Sequence, residues 1–165
     1  MPRNEPGELI CRGPQFITEY WNNPEETAKT IIDGWLYTGD IVTIDEEGFV
    51  FILDRKKDMI IVNGMNVYPR DVDEVLFKHP KVKEACTIGI PDEKQGESVK
   101  SYVVLNPNET VTAEELNKYC RESLAGYKIP RFIEFVDELP RTAVGKADRK
   151  ALRAKAMGQA NGSRT

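Results

Sequence analysis

The residue with the greatest chemical reach in this sequence is a lysine at the end of a loop. Pro140-Arg141-Thr142-Ala143-Val144-Gly145-Lys146 opens on proline, contains glycine and ends in an ammonium group. A loop of this kind can carry the tip of Lys146 away from its own domain. A cation poised there could neutralise an attacking carboxylate and an α-phosphate together. Fixed charge aimed at developing negative charge is a large source of rate. Gly145-Lys146 is not part of a phosphate-cradling P-loop, because that motif requires glycine where this chain has Pro140.

Other positions offer chemistry of a weaker kind. In Tyr37-Thr38-Gly39-Asp40, Gly39 lets the backbone turn between two β segments, and Asp40 presents two acceptor oxygens at a strand end. Such a carboxylate can accept both hydroxyls of a ribose, although an ordinary Asx-type turn fits the same residues. Arg55 could hold ribose or phosphate oxygens, or be a surface arginine. Lys57, long and charged, suits a hinge that absorbs a backbone change, or a solvated turn. Gly64, in Asn63-Gly64-Met65, permits positive φ or close approach of a ligand chain. That suits a narrow channel as well as a hairpin.

The elements that must position these groups alternate in type. Asn23-Pro24-Glu25-Glu26 starts a helix. Ile41 to Ile44 and Phe49 to Leu53 form a hairpin around Asp45-Glu46-Glu47-Gly48. The charged run Asp54-Arg55-Lys56-Lys57-Asp58 is a joint and marks a domain boundary. Beyond it come a strand at Met59 to Val62, a tight turn at Asn63-Gly64 and a helix at Asp71 to Lys78. Strands follow at Val82 to Ile90 and Ser98 to Leu105. Thr112-Ala113-Glu114-Glu115 is a capping box opening a helix that buries Leu116, Tyr119, Cys120 and Leu124. A strand at Arg131 to Val136 and a helix at Lys146 to Ala156 complete the chain. The expected fold class is α+β. A small domain with a central three-stranded sheet and helices follows a β-rich segment, and residues 158–165 form a frayed tail.

Composition removes several alternatives. The 165 residues carry a net charge of −4, with both signs interspersed. No basic footprint for nucleic acid results. No run is long enough to span a bilayer, and the first residues lack a signal core, which points to the cytoplasm. Cys11, Cys86 and Cys120 are odd in number and contain no C-x-x-C pair, and His79 is the single histidine. No metal site is expected. His79-Pro80 instead closes a helix, where a histidine favours the negative dipole end.

Order and spacing then carry a resemblance. Trp35-Leu36-Tyr37-Thr38-Gly39-Asp40, the run from Asp54 to Pro69, and Pro140 to Lys146 together resemble the acyl-CoA synthetase branch of the adenylate-forming enzymes. That superfamily also holds peptide-synthetase adenylation domains and luciferases. Asn63-Gly64-Met65-Asn66-Val67-Tyr68-Pro69 looks most like medium- and long-chain fatty acyl-CoA ligases. Asp54-Arg55 stands where many relatives have Gly-Arg, and Lys57 where many have Asp. The resemblance implies acyl-adenylate formation from ATP and a carboxylic acid, then acyl transfer to coenzyme A. It implies Asp40, Arg55 and Lys146 at ATP or AMP, Lys146 as catalytic residue and Lys57 as hinge. It places Asn63, Gly64, Met65 and Lys128 at coenzyme A. Residues 1–56 would end an N-terminal adenylating domain, and 57–157 would form the mobile C-terminal domain. The phosphate loop, acyl tunnel and Mg2+-binding acid of that family lie outside these 165 residues, so alone they are expected not to activate acids. Domain exchange between copies at the Asp54–Asp58 joint would give a homo-oligomer. A non-catalytic module binding coenzyme A or a partner, and an adenylation domain loading a carrier protein, are the competing expectations.

Overall fold

Asn23 dictates the first helix locally. Its side-chain oxygen accepts the Glu26 N–H at 3.1 Å, Pro24 fills the first turn, and Glu25 and Glu26 face the positive end. The result is α1, Pro24–Thr30, in a computed structural model that describes residues 2–162. The chain divides into two compact units, Met1–Lys57 and Asp58–Thr165.

The first unit is an antiparallel sheet centred on one strand. β1 (Gly7–Cys11), β2 (Ile31–Ile32) and β4 (Val50–Arg55) all pair with β3 (Trp35–Ile44). The β3–β4 turn is closed by Asp45, whose carboxylate accepts the Phe49 N–H at 2.8 Å. One expectation is corrected. Thr38-Gly39-Asp40 is not a turn between two segments but a bulge inside the continuous β3. Ile10 pairs with Tyr37 and Glu8 with Ile41, so β3 holds extra residues over this stretch. Gly39 supplies the φ of +72° that the bulge requires.

The second unit contains β5 (Ile60–Val62), β6 (Met65–Val67), α2 (Pro69–Phe77), β7 (Val82–Asp92) and β8 (Gly96–Leu105). It continues with α3 (Ala113–Arg121), β9 (Phe132–Phe135) and α4 (Arg149–Gly162). Its sheet is mixed: β6, β5, β8 and β7 lie in that order, and β9 joins β8 in parallel. The α+β character holds, but the sheet has five strands where three were expected. Asn63 (φ 51°) and Gly64 (φ 78°) form the two-residue turn that makes β5 and β6 a hairpin. Val62 then pairs with Gly96 and docks that hairpin on the sheet.

Period-two alternation sends the side chains of β7 and β8 to opposite faces. Val99 and Val103 pack with Val72 and Leu76 of α2 and Leu116 and Cys120 of α3. Cys86, Ile88, Tyr102 and Val104 pack with Leu152 and Ala156 of α4. The Thr112 hydroxyl accepts the Glu115 N–H, and the Glu115 carboxylate accepts the Thr112 N–H, completing the capping box. His79 packs edge-on to Tyr119, with ring centroids 4.9 Å apart, and is structural. The last helix begins at Arg149 rather than Lys146, because the Arg141–Ala147 bridge keeps the preceding loop closed. It continues to Gly162, so residues 158–162 are helical rather than a tail. Residues 163–165 of the expected tail lie outside the described residues.

Candidate active-site groups

The first unit brings Asp40 and Arg55 together. They are directly opposed across β3 and β4, and Arg55 Nε lies 3.0 Å from Asp40 Oδ1. The bulge is braced beneath them: Thr38 Oγ1 donates to the Leu9 carbonyl at 2.8 Å and accepts the Asp40 N–H at 3.1 Å. Buried Asp54 accepts the Arg55 N–H at 2.7 Å. The Arg55 fork therefore orients a carboxylate whose remaining acceptor capacity suits vicinal hydroxyls. Lys56 reaches back to Glu8 at 2.7 Å. Lys57, next in sequence, is exposed, and its ammonium has no partner among the described residues.

In the second unit the Lys146 loop is closed by its own backbone. The Thr142 N–H donates to the Lys146 carbonyl at 2.7 Å, and the Gly145 N–H to the Thr142 carbonyl at 2.9 Å. The Thr142 hydroxyl accepts the Lys146 N–H at 3.2 Å. Gly145 has φ +79°, the left-handed value that lets the chain reverse here. The Lys146 main chain is thus held, while its exposed ammonium has no partner among the described residues. Such a group is available to an external anion.

Asn63, Gly64 and Met65 form the exposed turn of the β5–β6 hairpin, and the Asn63 N–H donates to the Gln95 carbonyl at 2.9 Å. Beside it runs an open groove of about 400 Å³, lined by Asn63, Gln95, Tyr127 and Arg131 among others. Lys128 follows Tyr127, but its ammonium is 2.6 Å from Asp71 at the start of α2. That charge is already matched within the unit.

Sequence reasoning missed a set of buried or half-buried ion pairs. Arg153 Nη1 lies 2.8 Å from buried Asp58, and Arg149 Nη2 lies 2.7 Å from Asp73. Arg149 and Arg153 are four apart on α4, a same-face spacing that could have suggested shared burial. Their acidic partners carry no local signal. Asp73 Oδ1 is buried with no hydrogen-bond partner among the described residues. Burial pushes the Asp73 carboxyl up to about 7, against the pull of Arg149. Burial likewise pushes the adjacent Cys86 thiol up to about 12. The folded chain therefore retains a proton on Asp73 that the unfolded chain releases in the ordinary carboxylate range. Stability falls as pH rises from that range to about 7. Asp73→Asn should remove this slope, on the order of 4 kcal/mol across the window. Urea midpoints measured at several pH values check it, and parallel curves for the two proteins would sink the idea.

Among the described residues no group of three or more acids, histidines or cysteines could hold a metal ion, and no helix is long and apolar enough to cross a membrane.

Comparison with known proteins places this geometry. Residues 71–146 match the model of the AMP-binding enzyme C-terminal domain. The chain is 48% identical over 159 residues to a long-chain-fatty-acid–CoA ligase of Escherichia coli, covering 96% of this chain and 28% of that protein. It is 51% identical over 148 residues to the enzyme of the same name from Bacillus subtilis, covering 90% and 26%. Its fold is similar to o-succinylbenzoate CoA synthetase from Bacillus subtilis, solved with an acyl-adenylate intermediate. There the TM-score is 0.87 at 41% identity, covering 93% of this chain and 31% of that one. The chain thus spans between a quarter and a third of the length of these relatives.

Proposed function

We infer, from a chain that belongs to the adenylate-forming enzymes and carries their AMP-binding C-terminal domain over residues 71–146, that it is the C-terminal part of an ATP-dependent fatty acyl-CoA ligase. In the first half-reaction a carboxylate oxygen attacks the α-phosphorus of ATP, and pyrophosphate leaves. In the second, the coenzyme A thiol displaces AMP from the acyl carbon. The observation that carries this reading is Lys146, an exposed ammonium without a partner among the described residues, on a loop closed by its own backbone hydrogen bonds. It serves the first half-reaction by matching charge on the acid and the α-phosphate. Asp40, oriented by Arg55, holds the ribose hydroxyls. Lys57 is the hinge between residues 1–56, the end of the adenylating domain, and residues 57–157, the mobile domain. Asn63, Gly64 and Met65 line the pantetheine path, and Lys128 meets coenzyme A phosphates by exchanging partners with Asp71. Mg2+ is held by the adenylating domain. Three unbonded cysteines agree with a reducing compartment, the cytoplasm.

Asp40→Ala in the full-length ligase tests the assignment through ATP–pyrophosphate exchange driven by a long-chain fatty acid. Each lost hydrogen bond to a carboxylate amounts to ~1.5–3 kcal/mol, so KM for ATP should rise at least ~10- to 100-fold. KM for the fatty acid should be little changed. An unaltered KM for ATP removes Asp40 from the nucleotide site, and exchange that ignores fatty acids removes the substrate class. The 165 residues alone should show no exchange.

A further inference from the structure

Both ends of the Lys146 loop are gripped by arginines, and both grips reach the same strand. At the start, Arg141 Nη1 donates to the Gly145 carbonyl at 3.2 Å, and Nη2 meets the carboxylate of Glu84 on β7. At the end, Arg149 Nε donates to the Thr87 carbonyl on β7 at 3.2 Å, and Nη2 to Asp73 on α2 at 2.7 Å. Between these grips the Asp148 N–H donates to the Pro140 carbonyl at 2.8 Å and closes the neck of the loop.

A lysine stem has four rotatable carbons, so a freely moving loop would add main-chain disorder to side-chain disorder. Placing the ammonium would then cost ordering entropy at the moment of reaction. With the main chain fixed beforehand, only the stem must be ordered. We propose that Arg141 and Arg149 are positioning residues that fasten the two ends of the Lys146 loop to β7, through Glu84 at one end and through Thr87 and Asp73 at the other. The proposal rests on the reading of Lys146 as the adenylation lysine. It assigns the arginines no contact with the reactants.

The two grips differ in strength. The Arg141–Glu84 pair is half exposed, with side-chain exposures of 49% and 26%. Solvent and salt weaken such a pair. The Arg149–Asp73 pair is drier, at 25% and 18%, and its loss leaves a buried carboxyl without its donor. Arg149 also uses two donors of its planar fork, Nε on a carbonyl and Nη2 on a carboxylate. A lysine cannot reproduce that.

The test uses the full-length ligase and both half-reactions. Arg141→Gln and Arg149→Lys should each lower ATP–pyrophosphate exchange about tenfold or more, with the larger loss at Arg149. Thioester formation from supplied acyl-adenylate should be unchanged, because that step does not use Lys146. Reversing the exposed pair, Arg141→Glu with Glu84→Arg, should recover most of the exchange that either single reversal loses. A Lys146→Ala control separates the two readings. If that control retains exchange, the reading of Lys146 fails. If the control loses exchange while Arg141→Gln and Arg149→Lys keep it, the positioning inference fails. It fails equally if these variants depress both half-reactions alike, which is the signature of a merely structural role.

Discussion

On the proposed function, Lys146→Ala in the full-length ligase should lower acyl-adenylate formation by about 10²- to 10³-fold, the range set by removing one fixed group that stabilises developing charge. Thioester formation from supplied acyl-adenylate should survive. The split follows from where charge appears. In the proposed first half-reaction a carboxylate approaches a triphosphate, and two anionic centres converge on one phosphorus. An ammonium between them stabilises the transition state more than the separated reactants. In the second, a thiol attacks an acyl carbon and AMP departs, which places no such demand on Lys146. Lys146→Arg should remain impaired, since a planar fork does not occupy the place of a compact ammonium. Rapid-quench measurement of acyl-AMP and of acyl-CoA separates the steps. Equal losses in both would show that Lys146 is not dedicated to adenylation.

Arg153→Ala should destabilise the second unit by ~3 kcal/mol, because it strands a buried charge. Asp58 is 7% exposed, and Arg153 reaches it with Nη1 at 2.8 Å and its backbone carbonyl with Nη2 at 3.4 Å. The pair binds the first residue of this unit to its last helix. Lys57, one position earlier, is exposed, so the division between the units falls between an exposed and a buried residue. Removing both charges, Arg153→Met with Asp58→Asn, should recover much of the loss, since no unmatched ion remains. Both tryptophans, Trp21 and Trp35, lie in the first unit. Urea unfolding of the second is therefore followed by circular dichroism or tyrosine signal. A single variant as stable as the parent would mean that Asp58 finds water or another donor.

The elements whose rules are local were legible in the residues. Asn23-Pro24 and Thr112 to Glu115 cap their helices with atoms a few positions away, and Asn63-Gly64 turns where two positive φ values are needed. The Thr38-Gly39-Asp40 bulge was read as a turn, because the extra residues have meaning only against β1. The sheet was undercounted for the same kind of reason. β5 and β6 join it through the Val62–Gly96 pairing, 34 positions apart in sequence.

The candidate site divides along the same line. Residue type, order and spacing along the chain determined which groups could act. Asp40 is a bidentate acceptor, Arg55 a rigid fork, Lys57 and Lys146 long cations, and Gly64 and Gly145 backbone freedom. These are properties of side chains and short runs, and they need no partner. Only the tertiary structure decided which charges are engaged. It sets Arg55 on Asp40, Lys128 on Asp71, Arg153 on Asp58, and Arg141 and Arg149 on β7 and α2, and it leaves Lys57 and Lys146 without a partner among the described residues. The physical reason is range. Turn and cap geometry is set within about four residues, whereas an ion pair is set by distance and burial, which sequence separation does not encode.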